Sequence, residues 1–200
     1  DPLEMNETLD NAVAKLKADK QYTDQFIRAF GDAEVTPERM ALALEQFMLT
    51  IVSNNAKYDK VLRGEASFTA AEQRGKDLFF KEFNPATNEK GGECFHCHGG
   101  HNFTNDKFMN NGLDAEANMS DPGRQQVTGK PGDRARFKVP SLRNIEFTAP
   151  YMHDGRLATL EAVMDHYNTG VKPSPTVEFL LQYNLQPGGL QLNAQDKSDL

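Results

Sequence analysis

The sequence predicts a mainly α fold, and three observations carry that expectation. Apolar residues recur at helical spacing in several segments. Capping residues stand immediately before the clearest of them. The one long aperiodic stretch, from Asn84 to about Thr148, is rich in Gly, Asn, Asp and Pro, the residues of turns and loops.

The helices follow in chain order. Asn6 to Lys17 carries Leu9, Val13 and Leu16 on one face. A short helix covers Tyr22 to Phe30 and is stopped by Gly31. Thr36-Pro37-Glu38 supplies an N-cap, a proline at the first helical position and an acid in the first turn. Behind it Met40, Leu44, Phe47 and Ile51 form one apolar stripe, and Met40 and Met48 read as core filler. Tyr58 to Ser67 reads as a linker into a second unit. Thr69 and Glu72 match a capping box, in which each side chain satisfies the other's backbone N–H, and that helix runs through Leu78, Phe79 and Phe80. The next clear helix spans about Thr159 to Tyr167, and Pro173, Pro175 and Gly188-Gly189 mark a further loop. Asn193 to Leu200 starts a helix that is marginal at two turns, so a continuation beyond Leu200 is expected.

Composition narrows the function classes. The 200 residues are 38% hydrophobic and 26% charged, enough for one large domain or two small ones. A net charge of −7 without a basic run argues against a nucleic-acid partner. No run approaches the roughly 20 apolar residues of a bilayer span. The chain opens on Asp1-Pro2-Leu3 with no leader, which suits a processed chain or a fragment. Of the two cysteines, neither is far enough from the other to staple distant parts of a fold.

Those cysteines carry the chemistry. Cys94-Phe95-His96-Cys97-His98 is a C-x-x-C-H motif. Two thiols at this spacing can each add to one vinyl group on a haem edge, and the adjacent histidine then faces the iron. A redox dithiol would want a strand-to-helix βαβ context, which is not visible. A zinc site would need two further ligands, and His96 and His101 would crowd four donors into eight residues. Long irregular loops inside a compact domain are commonly functional, and a haem gives the 84–148 stretch something to wrap.

The remaining histidines divide by position. His96 and His101 read as solvated loop residues near the haem edge, whereas His153 and His166 lie in or near the last clear helix. Methionine in the sixth iron position gives a high-potential haem. Histidine or tyrosine there gives a lower one. Met109, Met119, Met152 and Met164 all follow the motif, so spacing alone leaves that ligand open.

Several ordered motifs accompany the C-x-x-C-H. Phe103-Thr-Asn-Asp-Lys-Phe108-Met-Asn-Asn-Gly112 comes first, then Phe137-Lys-Val-Pro140-Ser-Leu-Arg143-Asn144. Thr148-Ala-Pro150-Tyr-Met-His153-Asp-Gly155 and Thr159-Leu-Glu-Ala-Val-Met-Asp-His-Tyr167 follow. Together they resemble the bacterial di-haem cytochrome c peroxidases and their relative, the di-haem enzyme that matures the tryptophan cofactor of methylamine dehydrogenase. The match runs over essentially the whole chain.

The resemblance implies two cytochrome-c-like domains, an N-terminal peroxidatic one and a C-terminal one that passes electrons to it. The single motif matches the C-terminal haem. Residues 1–60 are then the closing helices of the peroxidatic domain, and 67–200 the electron-transfer cytochrome c domain with long loops. Asp1-Pro2-Leu3-Glu4-Met5 resembles the stretch bearing the distal glutamate, so Glu4 is expected to move protons while the peroxide bond breaks. Aligning from Pro150 to Gly155 without gaps puts Tyr167 where peroxidases of the family carry a methionine ligand and the maturation enzyme a tyrosine. His166 and Met164 are the alternatives. Thr148 and Pro150 match carbonyls that bind calcium between the domains. Arg143 and Lys138 offer cationic donors to haem propionates.

The expected activity is reduction of hydrogen peroxide to water. Electrons would enter at the Cys94/Cys97 haem c from a small redox protein, a cytochrome c or a cupredoxin. Covalent haem and the resemblance both imply a periplasmic location, and a homodimer is among the expected assemblies. The rival expectations are oxidation of a protein side chain, as in the maturation enzyme, and a non-catalytic single-haem cytochrome.

Overall fold

The computed structural model describes residues 5–87 and 89–200, and the expected distal residue Glu4 lies outside them. The chain divides into two compact units, Asp1–Asn54 and Asn55–Leu200.

The first unit holds α1 (Leu9–Ala18), α2 (Lys20–Phe30) and α3 (Pro37–Thr50). Local polar groups start and stop each helix. The Thr8 hydroxyl accepts from the Asn11 N–H at 3.2 Å, and the Asp19 carboxylate from the Gln21 N–H at 2.8 Å. Gly31, at φ +90°, closes α2 as expected. Thr36 caps α3 with Pro37 directly behind it. Phe26 and Val35 are the buried apolar side chains here. The expected core stripe on α3 is not buried: Leu44, Phe47, Met48 and Ile51 are 58–67% exposed. Met48 is therefore not core filler. Within its unit α3 meets α1, and its Arg39 guanidinium lies over the Phe30 ring at the end of α2 at 5.2 Å.

The second unit opens with α4 (Lys57–Leu62), which replaces the linker expected from Tyr58 onward. Its charged sequence hides it, because what holds α4 is the Asp59 carboxylate and the packing of Tyr58 on Phe68 and Phe103 at 6.1 and 5.2 Å. The Ala56 N–H donates to the Asp59 carboxylate at 3.0 Å, and Asp59 is itself buried. Next comes α5 (Ala70–Phe79), begun by the expected box: Glu72 N–H to the Thr69 hydroxyl at 3.2 Å, and Thr69 N–H to the Glu72 carboxylate at 2.6 Å.

The middle of the chain is loop, pinned by a two-stranded antiparallel pair. In it β1 (Phe108–Met109) faces β2 (Phe137–Lys138), with Phe108 opposite Lys138 and Met109 opposite Phe137. A four-residue helix, α6 (Gln125–Thr128), lies between them. Then α7 (Leu160–Asp165), capped by Thr159, runs into a single π-helical turn over His166–Gly170. The chain closes with α8 (Ala194–Asp199), capped by Asn193.

Tertiary contact holds this short last helix. It lies against α5 so closely that a β-carbon on Gly75 would sit 1.8 Å from the Asp199 carbonyl oxygen. Arg74 pairs with Asp199 at 2.7 Å across the same crossing. Beside it Phe83, Leu190 and Leu192 form the buried apolar cluster, with Leu78, Tyr183 and Leu200 packed against it. Among the described residues, no helix is long and apolar enough to cross a membrane.

Candidate haem-attachment site

The end of α5 fixes where the motif begins. The Gly92 N–H donates to the Leu78 carbonyl at 2.7 Å, and the Glu93 N–H to the Lys81 carbonyl at 3.2 Å. The strand of backbone runs so close that a β-carbon on Gly91 would lie 2.0 Å from the Lys81 oxygen, so no larger residue fits. Glu93 then takes a left-handed conformation at φ +54°, and its carboxylate accepts the Phe83 N–H at 3.0 Å. Burial raises the Glu93 pKa above the usual carboxylate value.

From that anchor Cys94–His96 forms one 3₁₀ turn. The N–H groups of Cys97 and His98 both turn back to the Cys94 carbonyl, at 3.2 and 2.8 Å. This brings the two thiols and the imidazole onto one short piece of chain. Both cysteines are free thiols. Burial pushes Cys94 up to about 12 and Cys97 up to about 11. A redox dithiol is favoured by a depressed pKa, the opposite of the direction burial gives here. The Cys97 Sγ also lies 3.4 Å from the Met109 Sδ on β1.

His98 is oriented by a carbonyl. Its Nδ1 lies 3.0 Å from the Phe103 oxygen. A carbonyl only accepts, so Nδ1 carries the proton and Nε2 the lone pair, the tautomer that ligates metal. Burial lowers the His98 pKa, opposed by the Phe103 and Pro140 carbonyls, which keeps the ring neutral near pH 7.

Tyr167 sits in the π-helical turn and is partly buried. Burial pushes its phenol up to about 12. The Asn111 side chain at the hydroxyl works the other way, and both motif thiols lie near enough to add to the rise. The neighbouring His166 is committed elsewhere, its Nε2 donating to the Asn111 carbonyl at 3.0 Å. Single π turns are frequent at functional sites because they re-aim one side chain within a helix.

The other expected residues take separate places. Arg143 uses three donors: two to the Asp59 carboxylate at 3.0 Å each, and Nε to the His101 carbonyl at 2.8 Å. Lys138 pairs with Asp106 at 2.8 Å. Thr148 and Pro150 are exposed, and the Thr148 hydroxyl donates to the Ile145 carbonyl at 3.2 Å. His96 stacks on Phe95 and pairs with Glu82 at 3.1 Å, and His153 stacks on Phe137 at 3.8 Å. Among the described residues no three His, Cys, Asp or Glu side chains gather as an ion site, so the donors of a zinc site are not assembled.

Residues to which the sequence assigns no role matter here. Phe103 supplies the acceptor for His98, Asp59 holds Arg143, and Asn111 serves both His166 and Tyr167. Only Asn111 had a local signal, the Asn110-Asn111-Gly112 turn sequence. The donor set fits a covalently bound haem: two protonated thiols to form thioethers, and a neutral imidazole of the ligating tautomer.

Comparisons with known proteins agree with this chemistry. A family model described as di-haem cytochrome c peroxidase matches residues 1–67. The chain is 37% identical to a cytochrome c551 peroxidase of Nitrosomonas europaea, over 82% of this chain and 47% of that protein. It is 38% identical to the methylamine utilization protein MauG of Methylorubrum extorquens, over 89% of this chain and 48% of that protein. Among solved structures it is similar to a MauG-like protein associated with microbial copper homeostasis. That likeness has TM-score 0.73 and 35% identity, covering 96% of this chain and 59% of the other. The diheme peroxidase BthA of Burkholderia thailandensis shares the fold at TM-score 0.69 and 21% identity, covering all of this chain and 59% of that one. The chain spans about half the length of the curated relatives named here.

Proposed function

Because the chain belongs to the bacterial di-haem cytochrome c peroxidase family, we propose that it is the electron-transferring portion of an enzyme that reduces hydrogen peroxide to water. The reaction consumes two electrons and two protons for each peroxide and releases two waters. Family membership implies haem c.

In this reading Cys94 and Cys97 bind the haem through thioethers and the His98 Nε2 ligates its iron, which supplies one-electron transfer when bound. The Phe103 carbonyl fixes the His98 tautomer. Tyr167 would supply the second protein ligand to that iron, with Asn111 at its hydroxyl and occupying the competing His166. Glu4 moves protons at the peroxidatic pocket. The first unit would belong to the peroxidatic domain and the second to the electron-transfer domain, a division the boundary near Asn54 supports. Electrons would come from a small redox protein, a cytochrome c or a cupredoxin, on the periplasmic side.

The observation that carries this reading is the geometry of the motif: one 3₁₀ turn brings the Cys94 and Cys97 thiols and the His98 ring onto one short piece of chain, with the His98 Nδ1 already 3.0 Å from the Phe103 carbonyl. The test is haem content by intact mass, followed by peroxide turnover by the full-length protein with reduced cytochrome. One haem on Cys94/Cys97 and steady oxidation of the cytochrome are expected. No haem on those cysteines defeats the reading.

Tyr167 favours a second reading, oxidation of a protein side chain. A phenolate is a hard anionic ligand that stabilises oxidised iron, which suits storing oxidising equivalents better than passing electrons quickly. Oxidation of a protein substrate, without steady turnover of cytochrome, would select it.

A further inference from the structure

The loop after the motif is clamped carbonyl by carbonyl. Three successive oxygens each receive a different donor. Arg143 Nε reaches the His101 oxygen at 2.8 Å, the Ser141 hydroxyl reaches the Asn102 oxygen at 2.6 Å, and His98 Nδ1 faces the Phe103 oxygen at 3.0 Å. Thr104 adds a fourth tie, its hydroxyl donating to the Val139 carbonyl at 2.7 Å. Three of these four ties come from one segment, 139–143.

These ties hold a strained residue. Phe103 sits at φ +51°, a left-handed conformation that costs a bulky residue energy unless its surroundings fix it. Its ring is boxed by Tyr58 at 5.2 Å, Phe79 at 6.0 Å and the Arg143 guanidinium at 5.6 Å. The same guanidinium thus contacts the ring of Phe103 and the carbonyl of His101. Arg143 is in turn fixed by its two-pronged pair with Asp59 on α4, both side chains being at most 15% exposed. A fork-on-carboxylate pair fixes direction as well as distance.

We propose that Arg143, anchored by Asp59, is a positioning residue for His98: it holds the 101–103 loop so that the Phe103 carbonyl stays on the His98 Nδ1–H and keeps the imidazole a strong donor to iron. An imidazole whose N–H donates to a carbonyl is more basic and favours the oxidised metal. Loosening the clamp therefore weakens that bias. This role differs from the propionate contact expected for Arg143, and it rests on the haem reading of Cys94, Cys97 and His98.

The test uses the full-length, haem-loaded protein and three variants. Arg143→Lys keeps the charge but cannot serve both Asp59 and the His101 carbonyl. Ser141→Ala, at an exposed position, removes the tie to the Asn102 carbonyl and the hydroxyl that accepts the Arg143 N–H at 3.1 Å, but leaves the Arg143 side chain in place. Leu192→Ala destabilises the apolar cluster without touching the loop. Haem on Cys94/Cys97 is confirmed by mass, and its midpoint potential is measured by spectroelectrochemical titration. Arg143→Lys should raise the potential by an amount equal to about a tenfold loss of ferric preference, about 59 mV for one electron. Ser141→Ala should shift it the same way by less, and Leu192→Ala should leave it unchanged. If Arg143→Lys fails to fold, the Ser141→Ala shift against Leu192→Ala carries the test. Unchanged potentials in the loaded loop variants, or an equal shift in Leu192→Ala, overturn the proposal alone. A wild-type protein without haem on these cysteines overturns the haem reading, and the proposal with it.

Discussion

His98 Nδ1 lies 3.0 Å from the Phe103 carbonyl oxygen, and Phe103 reaches that position only in a left-handed conformation. The contact decides which nitrogen of His98 carries the lone pair. It also links the motif to the loop behind it, so ligand chemistry depends on backbone five residues away.

Removing the thiols separates covalent attachment from ligation. Cys94→Ser or Cys97→Ser should leave one thioether, and the double variant none. Denaturing gels stained for haem, with intact masses, read this directly. Full covalent haem in the double variant would contradict the assignment.

Tyr167→Phe removes the phenolate but keeps the ring. The ferric absorption spectrum should change and the potential rise, because a hard anionic ligand to ferric iron is lost. An unaltered ferric spectrum would mean that Tyr167 is a packing residue.

Gly75→Ala gives two principles opposite signs. Helix propensity alone predicts a gain of up to about 1 kcal/mol. The crossing of α5 and α8 predicts a loss, since the new methyl would stand 1.8 Å from the Asp199 carbonyl oxygen. Overpacking typically costs about 1–3 kcal/mol, so the net effect should be destabilising. Thermal or denaturant unfolding of the variant checks the sign.

The Asp59–Arg143 pair predicts a pH dependence. Hydrogen bonds from Arg143 hold the Asp59 carboxyl below the usual carboxylate value. A depressed folded pKa means the unfolded chain binds its proton first as pH falls. The pair's stabilisation is thus fully present above about pH 4, the unfolded value, and fades as pH drops toward the folded pKa. Wild type should exceed Asp59→Asn in melting temperature at neutral pH, with the gap closing on acidification. A constant gap down to pH 2 would show that Asp59 does not act through its charge.

The elements legible in the sequence were those whose cause is local. Thr36, Thr69 and Thr159 each satisfy an N–H three residues ahead, so their helices start where the capping residues stand in the sequence. Gly31 stops α2 for an equally local reason. The helix α4 is not legible in the sequence because Asp59 is buried against Arg143, 84 residues away. The α3 stripe is exposed although its periodicity predicts burial, because an apolar periodicity states what a helix can bury and not whether its unit supplies a partner.

By itself, the sequence determined the chemical inventory: two thiols and an imidazole at the spacing that binds a haem edge, and a family of motifs around them. Their order along the chain is covalent, so no folding can rearrange it. Only the tertiary structure decided how that inventory is tuned. It turned the His98 lone pair to Nε2 through Phe103, committed Arg143 to Asp59 and His166 to Asn111, and left Tyr167 near the thiols in a π turn. These are contacts between side chains and carbonyls far apart in sequence. Their geometry exists only once the loops have closed, which is why residue types and spacings alone do not reveal it.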